Sequence, residues 1–110
     1  VIDSLTTLGG QASADEIIGF FSRCKAICDD GKVIITTVHT EAFGSNVHTQ
    51  IRSICDAYLI LEVRASGNQL VKTIQVAKIR GAESVTGSII GFEVEPGFGL
   101  KIIPLARAKA

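Results

Sequence analysis

This sequence contains no methionine and no tryptophan, and it opens on Val1. A complete natural product begins with Met or carries a processing signal, so the chain reads as a fragment. Its three cysteines, Cys24, Cys28 and Cys55, are odd in number and sparse. That excludes a disulfide framework and fits a reducing cytosol. No apolar run reaches the ~18 residues needed to span a bilayer. The start lacks the basic n-region and apolar h-region of a signal peptide. Neither sign of charge is in excess: Lys plus Arg and Asp plus Glu are each 11. A phosphate-backbone binder would need a surplus of basic residues, so a nucleic-acid partner is not expected. The phosphate-binding signature G-x-x-x-x-G-K-[ST] is also missing. Gly9-Gly10 and the pair Gly97 and Gly99 have no Lys-Ser/Thr after them and read as turns.

What is present describes a folded α/β chain. With 46% hydrophobic and 20% charged residues the sequence is globular, and 110 residues suffice for one small domain. Residues 8–12 form a small, polar loop. Ser13, followed three residues later by Glu16, is a capping box. Ile17, Phe20, Phe21, Cys24, Ile27 and Cys28 then fall at helical spacing, and Gly31 supplies the left-handed residue that closes the helix. Lys32 to Val38 (KVIITTV) is rich in β-branched residues and predicts a strand. A second helix is predicted from Ser45 or Asn46 to about Asp56, with Val47, Ile51, Ile54 and Cys55 on one face. Ala57 to Val63 (AYLILEV) is almost unbroken apolar sequence, as for a strand covered on both faces.

The order strand, helix, strand, helix, strand with short links implies crossovers and a parallel sheet. After Ser66-Gly67-Asn68 the pattern changes. Leu70 to Ile79 predicts a strand; Ile90, Phe92 and Val94 alternate with Gly91, Glu93 and Glu95; Pro96-Gly97-Phe98-Gly99 is a turn; Leu100 to Leu105 returns. The last third is therefore expected to be a β-meander on the edge of the parallel sheet. There is no internal repeat, low-complexity stretch or second domain. Two helices cannot cover both faces of such a sheet, so an isolated chain should expose an apolar patch and depend on a partner or on missing polypeptide.

The first four residues carry the first chemical signal. Val1-Ile2-Asp3-Ser4 runs from apolar residues into an aspartate and a hydroxyl, and a parallel strand ending on Asp is where P-loop ATPases hold the Mg²⁺ of a bound nucleotide. The alternative is an ordinary strand-end Asp capping a loop.

The stretch Lys78-Ile79-Arg80-Gly81, then Thr86-Gly87, Phe92-Glu93-Val94 and Gly97-Phe98-Gly99-Leu100-Lys101-Ile102-Ile103-Pro104-Leu105, is similar to the C-terminal part of KaiC-type ATPases. With Val1-Ile2-Asp3-Ser4-Leu5-Thr6 at the front and Thr37-Val38-His39 ending a strand, the whole set resembles the FlaH (ArlH) family of accessory ATPases of the archaeal motility filament, over essentially all 110 residues. The resemblance implies a partial RecA/KaiC-like ATPase domain over residues 1–110. It would be the C-terminal half of a three-layer P-loop fold, from the Walker B strand onward, with the Walker A half absent. It implies ATP and Mg²⁺ as cofactors, a homo-oligomeric ring (a hexamer), and a cytoplasmic protein docked beneath a motor ATPase and a membrane platform. The role implied is regulation of assembly or switching, with weak or no hydrolysis and no activity in the isolated fragment. A KaiC-type signalling ATPase or autokinase, and a structural ring module with a vestigial nucleotide site, stay open beside it. A DNA-handling recombinase is disfavoured, because the loop from Thr40 to Ser45 is short and holds no Lys or Arg.

On this resemblance Asp3 is the Walker B aspartate, a Mg²⁺ ligand directly or through water. Ser4 lies near the Mg²⁺ waters, while Thr6 and Thr7 fit turn chemistry better. His39 stands at a strand tip facing the γ-phosphate side, where it reports nucleotide state or is simply a polar loop residue. Lys78 and Arg80, two apart at a strand end, point to one face and reach a neighbouring subunit's phosphates. Their alternative is a pair of edge charges that deters aggregation. His48 reads as surface. Glu16 and Glu41 are not assigned as general bases, since the family's catalytic acid lies upstream of Asp3. Cys24 and Cys28 are core residues, with no second ligand pair at metal spacing.

Overall fold

The computed structural model describes residues 1–8, 10–81 and 88–103. The chain divides into two compact units, Val1–Asp56 and Ala57–Ala110.

The first unit holds helices α1 (Leu5–Leu8), α2 (Ala14–Asp29) and α3 (Ser45–Ile54). The sequence of α2 dictates both its ends. Ser13 Oγ accepts from the Glu16 N–H at 3.2 Å, and Glu16 Oε1 accepts from the Ser13 N–H at 3.1 Å, so the capping box is closed in both directions. At the other end the Gly31 N–H donates to the Cys28 carbonyl and the Lys32 N–H to the Ile27 carbonyl. This Schellman arrangement requires the positive φ of 94° that Gly31 adopts without a Cβ penalty. The apolar stripe of α2 buries Ile17 and Phe21, and α3 contributes Ile51. The two helices pack together, and Lys25 joins Asp29 on its own helix to Asp56 just past α3, the second contact at 3.4 Å. α3 stops at Ile54, two residues short of the expected end, because Cys55 turns to extended backbone.

Two expectations for this unit are corrected. The segments ending at Asp3 and Val38 are not full strands; a single parallel bridge, Ile2 with Thr36, joins them. Val33 and Ile35 accordingly stay exposed. The chain after Asp3 goes directly into α1, a short helix whose sequence, Leu5-Thr6-Thr7-Leu8, carried no periodic signal.

The second unit is a four-stranded antiparallel sheet, β1 (Ala57–Ser66), β2 (Gln69–Ile79), β3 (Ile89–Glu95) and β4 (Gly99–Ile103), in the order β1-β2-β3-β4. The expected meander is present over β2 to β4 as far as Ile103; Thr86-Gly87 and Pro104-Leu105 lie outside the described residues. β1 was expected as a doubly covered strand of a parallel sheet. It is longer, pairs antiparallel with β2, and leaves Leu59, Leu61 and Val63 51%, 59% and 61% exposed. The reason is local: Ser66 pairs with Gln69, so Gly67-Asn68 form a two-residue turn with Gly67 at φ 61°. Such a turn favours a hairpin over a crossover.

Cross-strand partners share a face of the sheet. Leu59, Leu61 and Val63 lie opposite Val76, Ile74 and Lys72; Ile74 and Lys72 lie opposite Ile90 and Phe92; Phe92 and Val94 lie opposite Ile102 and Leu100. Apart from Lys72 this face is wholly apolar. The other carries Glu62, Arg64, Thr73, Gln75, Glu93 and Lys101. Val76 and Phe92 are buried, but the residues toward the outer strands, including Val94, Leu100 and Ile102, are at least half exposed. Edge strands with an open apolar face invite association.

Three outcomes follow from these elements. Ser13→Ala should cost α2 about 1 kcal/mol, read as roughly fivefold faster amide hydrogen exchange across the helix. The Ser13 backbone N–H, and then its hydroxyl, hold the Glu16 carboxyl below the usual carboxylate range. A depressed folded value means that this contribution is present above the unfolded glutamate value of about 4.3 and is lost as pH falls through the folded one. Acid-induced fraying of α2 should therefore be weaker in Glu16→Gln; equal fraying in both would contradict the cap. For the sheet, the 110-residue chain alone should bind an apolar dye and self-associate in light scattering, and Leu61→Lys with Val63→Lys should reduce both. A monodisperse wild-type chain that leaves the dye dark would contradict an open face.

Candidate functional site

The candidate site is built where the first residues of the chain meet segment 35–39. The Ile2 N–H donates to the Ile35 carbonyl at 2.8 Å, the Thr37 N–H to the Ile2 carbonyl at 3.0 Å, and the Leu5 N–H to the Thr37 carbonyl at 2.9 Å. This backbone frame brackets Asp3. Thr37 Oγ1 then donates to Asp3 Oδ1 at 2.6 Å, the short distance of a hydroxyl–carboxylate bond. The His39 N–H donates to Thr6 Oγ1 at 2.9 Å. Ser4 Oγ accepts from the Thr6 N–H at 3.1 Å, so its hydroxyl supports the first turn of α1. The Asp3–Ser4 peptide bond is cis.

Of the residues singled out from the sequence, Asp3, Ser4, Thr6 and His39 thus come together. Asp3 is exposed at the end of its paired segment, as a ligand-facing carboxylate must be. Ser4 and Thr6 both serve turn and segment-joining bonds. The bonds of His39 are made by its backbone: its carbonyl also accepts from the Ala42 N–H at 3.0 Å, which closes a turn. The imidazole is exposed.

Thr37 was not among the predicted site residues. Its signal lay in the KVIITTV run, where two adjacent threonines must point to opposite sides of an extended segment. Which of them meets Asp3 depends on register, and the bridge Ile2–Thr36 sets that.

Lys78 and Arg80 belong to the second unit. Tyr58 pairs with Lys78 but Leu59 with Val76, so Ala77 is an extra residue, a β-bulge. The bulge reverses the alternation. Without it Lys78 would share the apolar face with Val76; with it Lys78 lies opposite Tyr58 and takes the polar face of Ile60, Glu62 and Arg64. Arg80 falls beyond β2, in the turn with Gly81 at φ 83°. The expected common face, argued from uninterrupted strand geometry, therefore does not extend to Arg80.

No group of three or more His, Cys, Asp or Glu side chains converges on a metal position among the described residues. Cys24 and Cys28 remain free thiols. Burial, and then the neighbouring Cys28, push the Cys24 thiol up, which disfavours the thiolate that a metal would need. Among the described residues no helix is long and apolar enough to cross a membrane.

Comparison with known proteins gives a likeness over the chain as a whole. No protein-family profile matches the chain. The archaeal flagellar ATP-binding protein FlaH of Sulfolobus acidocaldarius is 32% identical over 111 aligned residues, covering 100% of this chain and 48% of that protein. The crystal structure of the flagellar accessory protein FlaH from Methanocaldococcus jannaschii superimposes with a TM-score of 0.70 at 26% identity, covering 93% of this chain and 46% of that one. Over its full length, then, this chain resembles the archaeal flagellar protein FlaH, and it spans about half the length of the relatives it matches.

Proposed function

We propose that this chain is the Walker B to C-terminal half of an ATP-binding accessory protein that regulates assembly or switching of an archaeal motility filament. The observation that carries the proposal is a likeness, over the whole of this chain, to about half of a flagellar ATP-binding protein, combined with an exposed aspartate at the end of a parallel-paired segment, held by a hydroxyl from the neighbouring segment.

The fit of Mg²⁺ rests on donor chemistry. Mg²⁺ keeps several waters and is usually held by one or two carboxylates together with substrate phosphates. A lone exposed Asp3, with hydroxyl-bearing Ser4 and Thr37 around it, fits that mode and does not fit an all-protein cage. When bound, Mg²⁺ would neutralise charge on the nucleotide's phosphates. The chain's own part is to present one carboxylate oxygen of Asp3 and to fix its direction. A phosphate-binding loop is not in this sequence; in this reading it comes from the half of the protein that the relatives carry beyond the matched region.

The same reading gives the second unit a role between subunits. The bulge at Ala77 sets Lys78 on the polar face, where a long basic side chain is able to reach a neighbouring subunit's nucleotide in a ring; Arg80 follows from the adjacent turn. Docking to a motor ATPase and a membrane platform, in the cytoplasm, completes the proposal.

Equilibrium binding of ATP to the full-length protein tests it. The wild type should bind Mg-ATP, Asp3→Ala should weaken Mg-ATP binding at least tenfold while changing metal-free ATP binding little, and Lys78→Ala should weaken ring assembly in analytical ultracentrifugation. The 110-residue chain alone should not bind ATP at low micromolar concentration. An intact protein that binds no ATP would reduce the fold to a scaffold and overturn the nucleotide-switch reading.

A further inference from the structure

We propose that Thr37 is a positioning residue for Asp3: its hydroxyl holds the Asp3 carboxylate in the orientation in which the other oxygen meets the metal of a bound nucleotide. The proposal rests on the reading of Asp3 as the metal-side carboxylate, and it adds a residue which that reading lacked.

Thr37 is bonded to three residues of the Asp3 segment. Its N–H donates to the Ile2 carbonyl at 3.0 Å, its carbonyl accepts from the Leu5 N–H at 2.9 Å, and its hydroxyl donates to Asp3 Oδ1 at 2.6 Å. The two backbone bonds fix the position of the Thr37 Cβ relative to the Asp3 Cα, so the side-chain bond closes a small rigid ring. An exposed aspartate otherwise rotates freely about its side-chain torsions. One charge-assisted bond to Oδ1 removes that freedom. Among the described residues nothing else hydrogen-bonds to this carboxylate, so Oδ2 keeps its acceptor capacity. An outer partner that orients a metal-side ligand in this way typically changes metal affinity by ten- to a hundredfold when removed.

The neighbouring threonine supplies the control. Thr36 belongs to the same segment and is extended like Thr37, but its side chain lies on the opposite side. Among the described residues its buried Oγ1 has no hydrogen-bond partner. Removing that hydroxyl should be neutral or slightly stabilising.

The test is ATP binding to the full-length protein, measured with Mg²⁺ and with a chelator, for Thr37→Val, Thr37→Ser, Thr36→Val and Asp3→Ala. Valine keeps the shape of threonine and leaves both backbone bonds of residue 37 in place. Thr37→Val should weaken Mg-ATP binding about tenfold and leave metal-free ATP binding within about twofold. Thr37→Ser, which restores the hydroxyl, should recover most of the loss, and Thr36→Val should behave as wild type. Thr37→Val that weakens metal-free and Mg-ATP binding equally, with a lowered melting temperature, would make the bond a mere stitch between segments and overturn the proposal. Thr37→Val with wild-type Mg-ATP binding, beside a defective Asp3→Ala, would overturn it while sparing Asp3. No effect of Asp3→Ala would overturn both readings.

Discussion

The parallel pairing of Ile2 with Thr36 is the constraint on which the candidate site depends. Residues 34 apart in sequence are joined there by two backbone hydrogen bonds to Ile2 and a third at Leu5. Everything chemical in the first unit follows from that register. It sets Thr37 beside Asp3, lets Thr6 accept from the His39 N–H, and starts α1 directly after the aspartate. A shift by one residue would bring Thr36 to Asp3 and turn Thr37 away, since neighbouring side chains alternate sides. Long-range pairings of this sort carry a loop-closure cost that local contacts do not, and here the α2 helix and its two closed ends rigidify much of the intervening loop.

The sheet of the second unit is governed by alternation with one exception. Alternation along β1 to β4 puts most of the large aliphatic side chains on one face, while the other carries the charged and amide groups together with Ile60, Val71, Ile89 and Ile103. The bulge at Ala77 breaks this pattern at one point only, and its effect is to move Lys78 off the apolar face. A lysine among exposed leucines and valines would oppose burial of that face against another surface, because a buried unpaired ammonium is costly. The bulge thus serves two ends: it keeps the apolar face free of charge toward the end of β2 and sets the basic residue on the polar side. Few apolar side chains of the described residues are buried, namely Leu5, Ile17, Phe21, Ile51, Val76 and Phe92, and none of them completely. That thin core suits a chain that matches about half the length of its relatives.

The likeness to FlaH and the local geometry are separate arguments. The likeness covers the whole chain and says what kind of protein it resembles. The geometry singles out Asp3 among the described acidic residues, because among them it alone is held by the neighbouring paired segment at the end of a parallel bridge. Glu16, in contrast, serves the cap of α2 through one carboxylate oxygen. The cysteines on α2 are half-buried free thiols outside the core, and partial burial, then the neighbouring Cys28, raises the thiol of Cys24.

Sequence alone determined the local structure: the ends of α2 from Ser13, Glu16 and Gly31, the start of α3, and the hairpin turns at Gly67 and Gly97. These features rest on contacts within a few residues, where side-chain chemistry and backbone propensity act directly. Tertiary structure decided the rest. The apolar run in β1 read as a strand covered on both faces, because hydrophobicity does not say which neighbour a strand will choose; the two-residue turn after it decided for an antiparallel hairpin. The segments before Asp3 and before Val38 read as full strands, because β-branched residues announce extension but not the partners that turn extension into a ladder. Thr37 stayed hidden beside Thr36, since only the register distinguishes two adjacent threonines, and Lys78 took its face from a bulge that no spacing rule announces. In each case the missing information was a pairing between distant residues, and pairing is a property of the folded chain.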